Sequence, residues 1–156
     1  MSTCLDAALA YAARGWYVFP CAPLKKTPLT THGFKDATTD PAQITRWWTD
    51  TPGANIGIDC GRSGLVVVDL DVKNGVDGRV AWAILCQLHE QPSPETMIVD
   101  TPSSGRHLYF TGHAKSCVGI RPGIDIRGDG SYVLAPPSTL PNGAYHASSP
   151  DSDLAD

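Results

Sequence analysis

The stretch LVVVDLDV, residues 65–72, determines how the rest of the chain is interpreted. A short uninterrupted apolar run such as its first four residues predicts a buried β-strand. Two aspartates, Asp69 and Asp71, follow with one leucine between them. Since side chains two residues apart on a strand point to the same face, the carboxylates are expected to lie side by side. Repulsion and desolvation make such a pair unfavourable, and a divalent cation would remove both costs.

Two interpretations of this pair are open from the strand alone. Either the strand ends in solvent and both carboxylates are hydrated, or they bind Mg²⁺ or Mn²⁺, which prefer oxygen ligands. The segment GIDIRGDG favours a metal site, because Asp125 alternates with two isoleucines in another apolar strand. If the two strands are neighbours, three carboxylates meet and would hold two ions about 3.5–4 Å apart. The alternative for Asp125 is an ion pair with Arg127, which shares its face, or with another neighbour.

The motif TPSSGRHLYF supplies candidate phosphate ligands. Ser103, Ser104 and the backbone N–H groups of the turn can donate to phosphate oxygens, and Arg106 or His107 can neutralise them. A lone histidine at a strand start is more often structural than functional. Its position directly after serines and a glycine reverses that expectation, and the motif predicts a phosphate-binding turn.

Composition limits the classes to which the protein can belong. The chain has 156 residues, 42% of them hydrophobic and 18% charged, which predicts one globular domain. No apolar run approaches the roughly 18–20 residues of a membrane span, and the N-terminus lacks signal-peptide order, so a cytoplasmic location is expected. Five cysteines without a C-x-x-C pair argue against a disulfide framework or a zinc knuckle. The formal net charge of −4 counts only mildly against nucleic-acid binding, because an acidic metal site lowers the total.

Helix and strand patterns predict an α+β fold with mostly antiparallel strands and helices over one face. Apolar residues recur with helical spacing in three segments, at residues 3–14, 41–49 and 79–89. Residues 1–147 are expected to form one domain, and the polar, acidic residues 148–156 a tail or linker.

Two hairpins are expected from turn chemistry. Residues 55–60 and 65–71 are separated by a short Gly-Arg-Ser-Gly turn, which predicts that they pair with each other. Residues 124–128 and 131–136 flank Asp129-Gly130, a strong signal for a tight hairpin turn.

Taken in order, the motifs resemble the archaeo-eukaryotic primase superfamily, and more closely its bifunctional primase–polymerase (prim-pol) branch of plasmids, phages and integrated elements. The resemblance covers about residues 7–145. Its blocks are GWYVFP, Lys26-Thr-Pro28, GFKDATTDPAQITRWW, PGANIGI, SGLVVVDLD, TPSSGRHLYF and GIDIRGDGSYVLAPPS. It implies an RRM-like sheet joined to a small N-terminal α/β unit, with the active site in the cleft between them.

The resemblance also implies an activity and its main residues. Asp69, Asp71 and Asp125 would bind two Mg²⁺ or Mn²⁺ ions, and His107 would contact the triphosphate of the incoming nucleotide. The implied reaction is template-directed nucleotidyl transfer in DNA replication, from nucleoside triphosphates, on a single-stranded DNA template with a primer. A helicase or helical domain, on the same or another chain, is an implied partner. The family often has two glycines before the histidine, where this chain has Ser104-Gly105.

Four further residues have two interpretations each. Lys26 and Lys35 belong to a basic loop that would reach nucleotide or template, or that is simply solvated. Arg127 is expected to contact phosphate or the metal-binding carboxylates. Ser138, in the sequence APPS, would shape the nucleotide pocket or belong only to a rigid turn.

Two other classes of function remain as alternatives. A metal-dependent nuclease or phosphodiesterase would use the same carboxylates with water as the nucleophile. A non-catalytic RRM-like module would bind nucleic acid without metal, by stacking bases on sheet aromatics, for which Tyr109 and Tyr132 are the candidates.

Overall fold

The segment Leu65–Leu70 forms a central strand of a six-stranded antiparallel sheet, the larger of the two principal sheets among the described residues. The computed structural model describes residues 3–148 and 153–156. The helices are α1 (Cys4–Ala13), α2 (Pro41–Asp50), α3 (Cys60–Ser63) and α4 (Gly78–Leu88), with a 3₁₀ turn at Gly33–Asp36. The strands are β1 (Val18–Cys21), β2 (Asn55–Asp59), β3 (Leu65–Leu70), β4 (Val72–Lys73), β5 (Val76–Asp77), β6 (Met97–Asp100), β7 (Arg106–Thr111), β8 (Cys117–Arg121), β9 (Ile124–Arg127), β10 (Tyr132–Ala135), β11 (Thr139–Leu140), β12 (Gly143–Ala144) and β13 (His146–Ala147).

The larger sheet has the order β13-β6-β7-β3-β9-β8, and every neighbouring pair is antiparallel. The smaller sheet has the order β1-β2-β10, and α1 and α2 pack against it and each other. One continuous apolar core joins the smaller sheet to one face of the larger one. On the opposite face of the larger sheet, a second apolar cluster packs under α4. The larger sheet is therefore covered on both faces, and the two sheets meet along one of them.

The helices begin where capping chemistry allows. Thr3 caps α1, with reciprocal bonds between its own backbone and side chain and those of Asp6. Asp40 caps α2, which has a proline in its first turn, and Asp77 caps α4. The mixed α+β class expected from the sequence is confirmed, and the three expected helices lie within one or two residues of their expected bounds. The smaller sheet is not formed by N-terminal residues alone, because β10 joins it from the other end of the chain.

Both expected hairpins are wrong. The strand β2 pairs with β1 and β10, whereas β3 pairs with β7 and β9 in the other sheet. The residues between β2 and β3 form the short helix α3, which ends at Gly64 in a left-handed conformation, and this turn carries the chain from one sheet to the other. Likewise β9 pairs with β3 and β8, while β10 pairs with β2, so Asp129-Gly130 is a crossing between sheets.

The end of the chain contacts the larger sheet. Residues 149–152, within the expected linker, lie outside the described residues. Beyond them Ala155 forms an isolated parallel bridge with Phe110, and its carbonyl accepts from the backbone N–H of Thr111 at 2.8 Å. The division of the chain at residue 147 stays a prediction. In the part of the chain that the structure describes, no helix is long and apolar enough to cross a membrane.

Gly105 sets how closely β7 approaches the end of β3. A Cβ atom at this position would lie 2.3 Å from the carbonyl oxygen of Leu70. We therefore expect Gly105→Ala to lower the free energy of unfolding by about 2–3 kcal/mol, because backbone must move to relieve the overlap. Gly53→Ala is the control, since its Cβ would meet only Pro23 at an ordinary 3.8 Å. Urea titration measures both, and equal stabilities of the two variants would contradict this packing.

Candidate active site

Three polar side chains lie in one row across the centre of the larger sheet. Asp69 on β3 is directly opposite His107 on β7 and directly opposite Asp125 on β9. Cross-strand partners share a face and lie about 4.5–5.5 Å apart, so this register alone brings the three side chains together. The row faces the cleft between the sheets, and each of its members is less than 9% exposed.

Asp71 completes an acidic cluster just beyond the end of β3. One carboxylate oxygen from each of Asp69, Asp71 and Asp125 lies within 4.8 Å of the others. The side chains of Asp69 and Asp125 are 12% exposed and that of Asp71 is 28% exposed, so the cluster is open to solvent on the side of Asp71. The structure confirms the expectation that β3 and β9 are neighbours and that the three carboxylates lie close together.

Arg127 sits between two of these carboxylates. Its Nε lies 3.4 Å from Oδ2 of Asp69, and its Nη2 lies 3.1 Å from Oδ2 of Asp125. The other oxygen of Asp125 accepts from the backbone N–H of Gly119 at 2.7 Å. The exposed Lys73 reaches within 3.9 Å of Asp71. A cationic side chain thus already occupies the space that two buried carboxylates share.

The three carboxyl groups have different electrostatic surroundings. Burial and the charges of Asp69 and Asp125 raise the pKa of Asp71, although Lys73 opposes them. Burial would also raise the pKa of Asp69, but a hydrogen bond from His107 and the charges of His107 and Arg127 outweigh it. The pKa of Asp69 therefore lies below its ordinary value, which keeps this carboxylate ionised.

His107 is held firmly, with one free nitrogen. Its Nε2 lies 3.4 Å from Oδ1 of Asp69, and its ring packs 5.8 Å from the ring of Tyr145. Among the described residues, neither Nδ1 of His107 nor the hydroxyl of Tyr109 has a hydrogen-bond partner, although both are buried. The contact with Asp69 therefore fixes the orientation of the His107 ring beside the cleft.

The cleft beside this row has a volume of about 360 Å³. Asp69, His107 and Arg127 form its wall on the larger sheet. Its other walls come from the smaller sheet, the loop before α2 and the segment after β12, and include Lys26, Phe34, Tyr132, Val133, Leu134 and Tyr145. The hydroxyl of Tyr132 donates to the carbonyl oxygen of Lys26 at 2.8 Å, which fixes the loop against the smaller sheet. The cleft lies between the sheets, as the resemblance implied.

The turn before β7 is tight and exposed. The backbone N–H of Thr101 bonds to the carbonyl of Gly105 at 3.0 Å, and that of Ser104 bonds to the carbonyl of Thr101 at 3.1 Å. Ser104 adopts a left-handed conformation with φ +68°, which glycine tolerates far better than serine. The side chains of Ser103 and Ser104 both belong to exposed residues next to His107.

Three expected site residues lie elsewhere. Arg106 alternates with His107, so its side chain lies on the α4 face of the sheet, where it pairs with Asp100 at 3.1 Å. Lys35 lies outside the cleft lining that contains Lys26. Ser138 is fully buried, and its Oγ accepts from the backbone N–H of Ile56 at 2.8 Å, a contact that ties the end of β10 to β2.

Sequence reasoning missed several residues of the cleft. Tyr145 had no motif around it, yet its ring lines the cleft, and burial together with the charges of Asp69 and Asp71 raises its pKa to about 12. Phe34 and Tyr132 face each other with ring centroids 6.0 Å apart. Tyr132 was named only as a base-stacking candidate for the RRM-like alternative. Phe34 lies in the short 3₁₀ turn Gly33–Asp36, within a segment that the sequence pattern predicts only as a loop.

The donor set fits divalent cations. All candidate ligands are carboxylate oxygens, which is the donor type that Mg²⁺ and Mn²⁺ prefer. Three carboxylates beside one arginine leave an excess of negative charge in a partly desolvated site. With a basic residue, a buried histidine and an exposed Ser/Gly turn alongside, the arrangement is suited to a metal-assisted reaction at a phosphate group.

The comparisons with known proteins agree with this class of site. The sequence matches the family described as bifunctional DNA primase/polymerase, N-terminal (Prim-Pol), over residues 8–156. This match covers nearly the whole chain, and the chain belongs to that family. No curated protein matches the sequence at a significant level.

Ser104→Gly should stabilise the protein. Glycine adopts φ +68° without the steric cost that serine pays, so we expect a gain of about 0.5–1 kcal/mol in the free energy of unfolding after its greater chain entropy is subtracted. Ser104→Ala keeps the Cβ atom and is the matched control, expected to show no gain. Denaturant titration measures the stability of both variants. A lower stability of Ser104→Gly than of Ser104→Ala would contradict backbone strain at this position.

Asp71→Asn should stabilise the metal-free protein at neutral pH. The raised pKa of Asp71 means that its charge is unfavourable in the folded state, and asparagine removes that charge. We expect the melting temperature in EDTA to rise by roughly 1–3 °C, a small change because the group is partly exposed. This increase in melting temperature should become smaller as the pH falls through the raised pKa, because the wild-type carboxyl group then becomes neutral.

Asp125→Asn is the matched control for this measurement. It removes the same charge but weakens the bonds from Gly119 and Arg127, so its melting temperature should fall. If both variants were destabilised equally, repulsion within the cluster would not be the dominant effect at Asp71.

Proposed function

We propose that the chain is a DNA primase/polymerase that transfers nucleotides from nucleoside triphosphates to a primer on a single-stranded DNA template. The observation that carries this proposal is the cluster of Asp69, Asp71 and Asp125 beside His107, at the edge of the inter-sheet cleft that Asp69 and His107 line, in a Prim-Pol family chain. We place the reaction in the replication of a plasmid, phage or integrated element, in the cytoplasm. A helicase or a helical domain remains a proposed partner.

The carboxylates are proposed to hold two Mg²⁺ or Mn²⁺ ions. Bound there, the ions would lower the pKa of the primer 3′-hydroxyl and neutralise the charge of the transferring and leaving phosphates. Asp69 and Asp125 are held by strand pairing and by bonds from His107 and Gly119, so their oxygens are positioned before any ligand arrives. Such preorganisation means that little rearrangement is needed at the moment of reaction.

His107 and Arg127 are proposed to bind the triphosphate. Both line the cleft directly beside Asp69, and both can donate hydrogen bonds to phosphate oxygens. Arg127 now pairs with Asp69 and Asp125, so it would move from carboxylate to phosphate as cations replace it. Ser103, Ser104 and the turn before β7 would add donors at the same end.

The remaining walls of the cleft suit the sugar and base. Lys26 supplies a positive charge, and the paired rings of Phe34 and Tyr132 supply an apolar surface. Tyr145 keeps its proton because its pKa is about 12, and it can donate to a sugar oxygen. Tyr109 is fully buried in the core, so it cannot stack on a base as an RRM-like reader would require. This weighs against the binding-module alternative.

The test is incorporation of labelled nucleotide on a primed single-stranded template with Mg²⁺ or Mn²⁺. The variant Asp69→Ala/Asp71→Ala should reduce incorporation by more than about a hundredfold, since changing only the groups that orient metal ligands costs about 10–100-fold. The variant Asp50→Ala/Glu95→Ala removes two exposed acids elsewhere and should keep full activity.

Two results would overturn the proposal in favour of its alternatives. Shortening of the primer in the absence of nucleoside triphosphates would indicate a nuclease or phosphodiesterase. Metal-independent DNA binding that Asp69→Ala leaves unchanged, with no incorporation by the wild-type chain, would indicate a non-catalytic module. Equal incorporation by wild type and Asp69→Ala/Asp71→Ala would remove these carboxylates from the mechanism.

A further inference from the structure

The two sides of the carboxylate row are unlike each other. On one side of Asp69 lies His107, followed by the aromatic cleft. On the other side lies Asp125, followed only by the edge strand β8. The enclosed cleft includes Asp69, His107 and Arg127 in its lining, but neither Asp71 nor Asp125. One side is therefore a pocket, and the other ends at an exposed edge strand.

Nucleotidyl transfer needs ligands on both sides of such a row. The attacking oxygen and the leaving oxygen lie roughly in line, on opposite sides of the phosphorus atom. If the triphosphate occupies the His107 side, as in the proposed function on which this inference rests, the attacking primer end must approach from the Asp125 side. The element that lies there is β8.

The strand β8 is unusually exposed and carries unpaired positive charge at both ends. Its residues are solvent-exposed apart from the half-buried Ile120, and Val118 is 77% exposed. Lys115, just before the strand, and Arg121, at its end, have no carboxylate partner among residues 3–148 and 153–156. Several other cations of the chain are neutralised by ion pairs, namely Arg62, Arg79, Arg106 and Arg127.

This edge is also rigidly attached to the catalytic row. The backbone N–H of Gly119, in the irregular centre of β8, bonds to Oδ1 of Asp125 at 2.7 Å. At the start of the strand, Oγ of Ser116 accepts from the backbone N–H of Gly128 at 3.0 Å and donates to the carbonyl of Asp129 at 2.8 Å. A strand fastened in this way would hold a bound ligand at a fixed distance from Asp125.

We propose that the exposed edge of β8 is the track of the primer strand, with Lys115 and Arg121 binding phosphates on either side of the position opposite Asp125. The occupant is single-stranded or primer-strand DNA, because two unpaired cations along an extended backbone complement a row of phosphates. The primer 3′ end then reaches the carboxylates from the side opposite the nucleotide pocket. The exposed, uncharged side chains between the two cations leave room for a strand of any sequence.

Cys117 provides a direct test, because it is an exposed thiol on β8, whereas Cys21 and Cys60 are buried and Cys4 and Cys86 are half-buried. A primer carrying a disulfide tether on a phosphate near its 3′ end, annealed to template, should join to the wild-type chain by thiol–disulfide exchange. Cys117→Ser should abolish this product. Cys86→Ser, on helix α4, should leave it unchanged.

A binding measurement tests the two cations. The variant Lys115→Ala/Arg121→Ala should weaken primer–template binding at least about tenfold and reduce the slope of log affinity against log salt by about 1.5–2. Its KM for the nucleoside triphosphate at saturating primer–template should stay unchanged, because neither residue lines the cleft. The control Arg46→Ala/Arg79→Ala removes two exposed charges elsewhere and should retain the wild-type slope.

The outcomes separate this inference from the proposed function. A salt slope equal to that of the control, or cross-linking that persists in Cys117→Ser, would overturn the primer track even if the chain incorporates nucleotides. A wild-type chain that binds no primer–template would overturn it as well. Cross-linking at Cys117 with the expected loss of binding, but no incorporation by wild type, would keep the strand track and overturn nucleotidyl transfer.

Discussion

The pairing register of β3 with its two neighbours is the constraint on which the site depends. It places Asp69 opposite His107 on one side and opposite Asp125 on the other, so three polar side chains from distant parts of the sequence share one row. A slip of one residue in either pairing would turn the partner side chain to the α4 face. The apolar residues of β3 fix this register. Leu65 and Val67 face the core shared with the smaller sheet, whereas Val68 and Leu70 face the apolar cluster under α4.

This arrangement concentrates like charges where burial makes them costly. The raised pKa of Asp71 reflects that cost, and the ion pairs of Arg127 with Asp69 and Asp125 offset part of it. Because Arg127 occupies the shared space without removing the excess negative charge, the site is prepared for ligands of higher charge. Stability and function are therefore opposed at Asp71, as is common where a site is built to bind a cation.

Strand alternation and local motifs predicted which polar side chains lie together better than they predicted which strands pair. The Asp-x-Asp pair, the second acidic strand and the histidine after the Ser-Gly turn were each visible in the sequence, and their geometry follows from side-chain period and strand pairing. The same period places Arg106 on the face opposite His107, a consequence that the sequence interpretation had not drawn.

Strand partners could not be predicted from turns. The turns at residues 60–64 and 128–131 have the chemistry of hairpins, yet each carries the chain between sheets. The reason is that β2 and β10 bury apolar side chains in the core that they share with β1 and the helices. This burial stabilises contacts between residues that are distant in the sequence, whereas turn preferences depend only on adjacent residues. Gly119 was missed for a similar reason, because its backbone N–H, and not a side chain, contacts Asp125.

The central claim is that the carboxylates of Asp69, Asp71 and Asp125 form a divalent-cation site. Titration of the chain with Mn²⁺, followed by electron paramagnetic resonance of the free ion, tests it without requiring activity. We expect saturable Mn²⁺ binding that is lost in Asp69→Asn/Asp125→Asn. Mn²⁺ binding that is absent in the wild type, or unchanged in that variant, would contradict it.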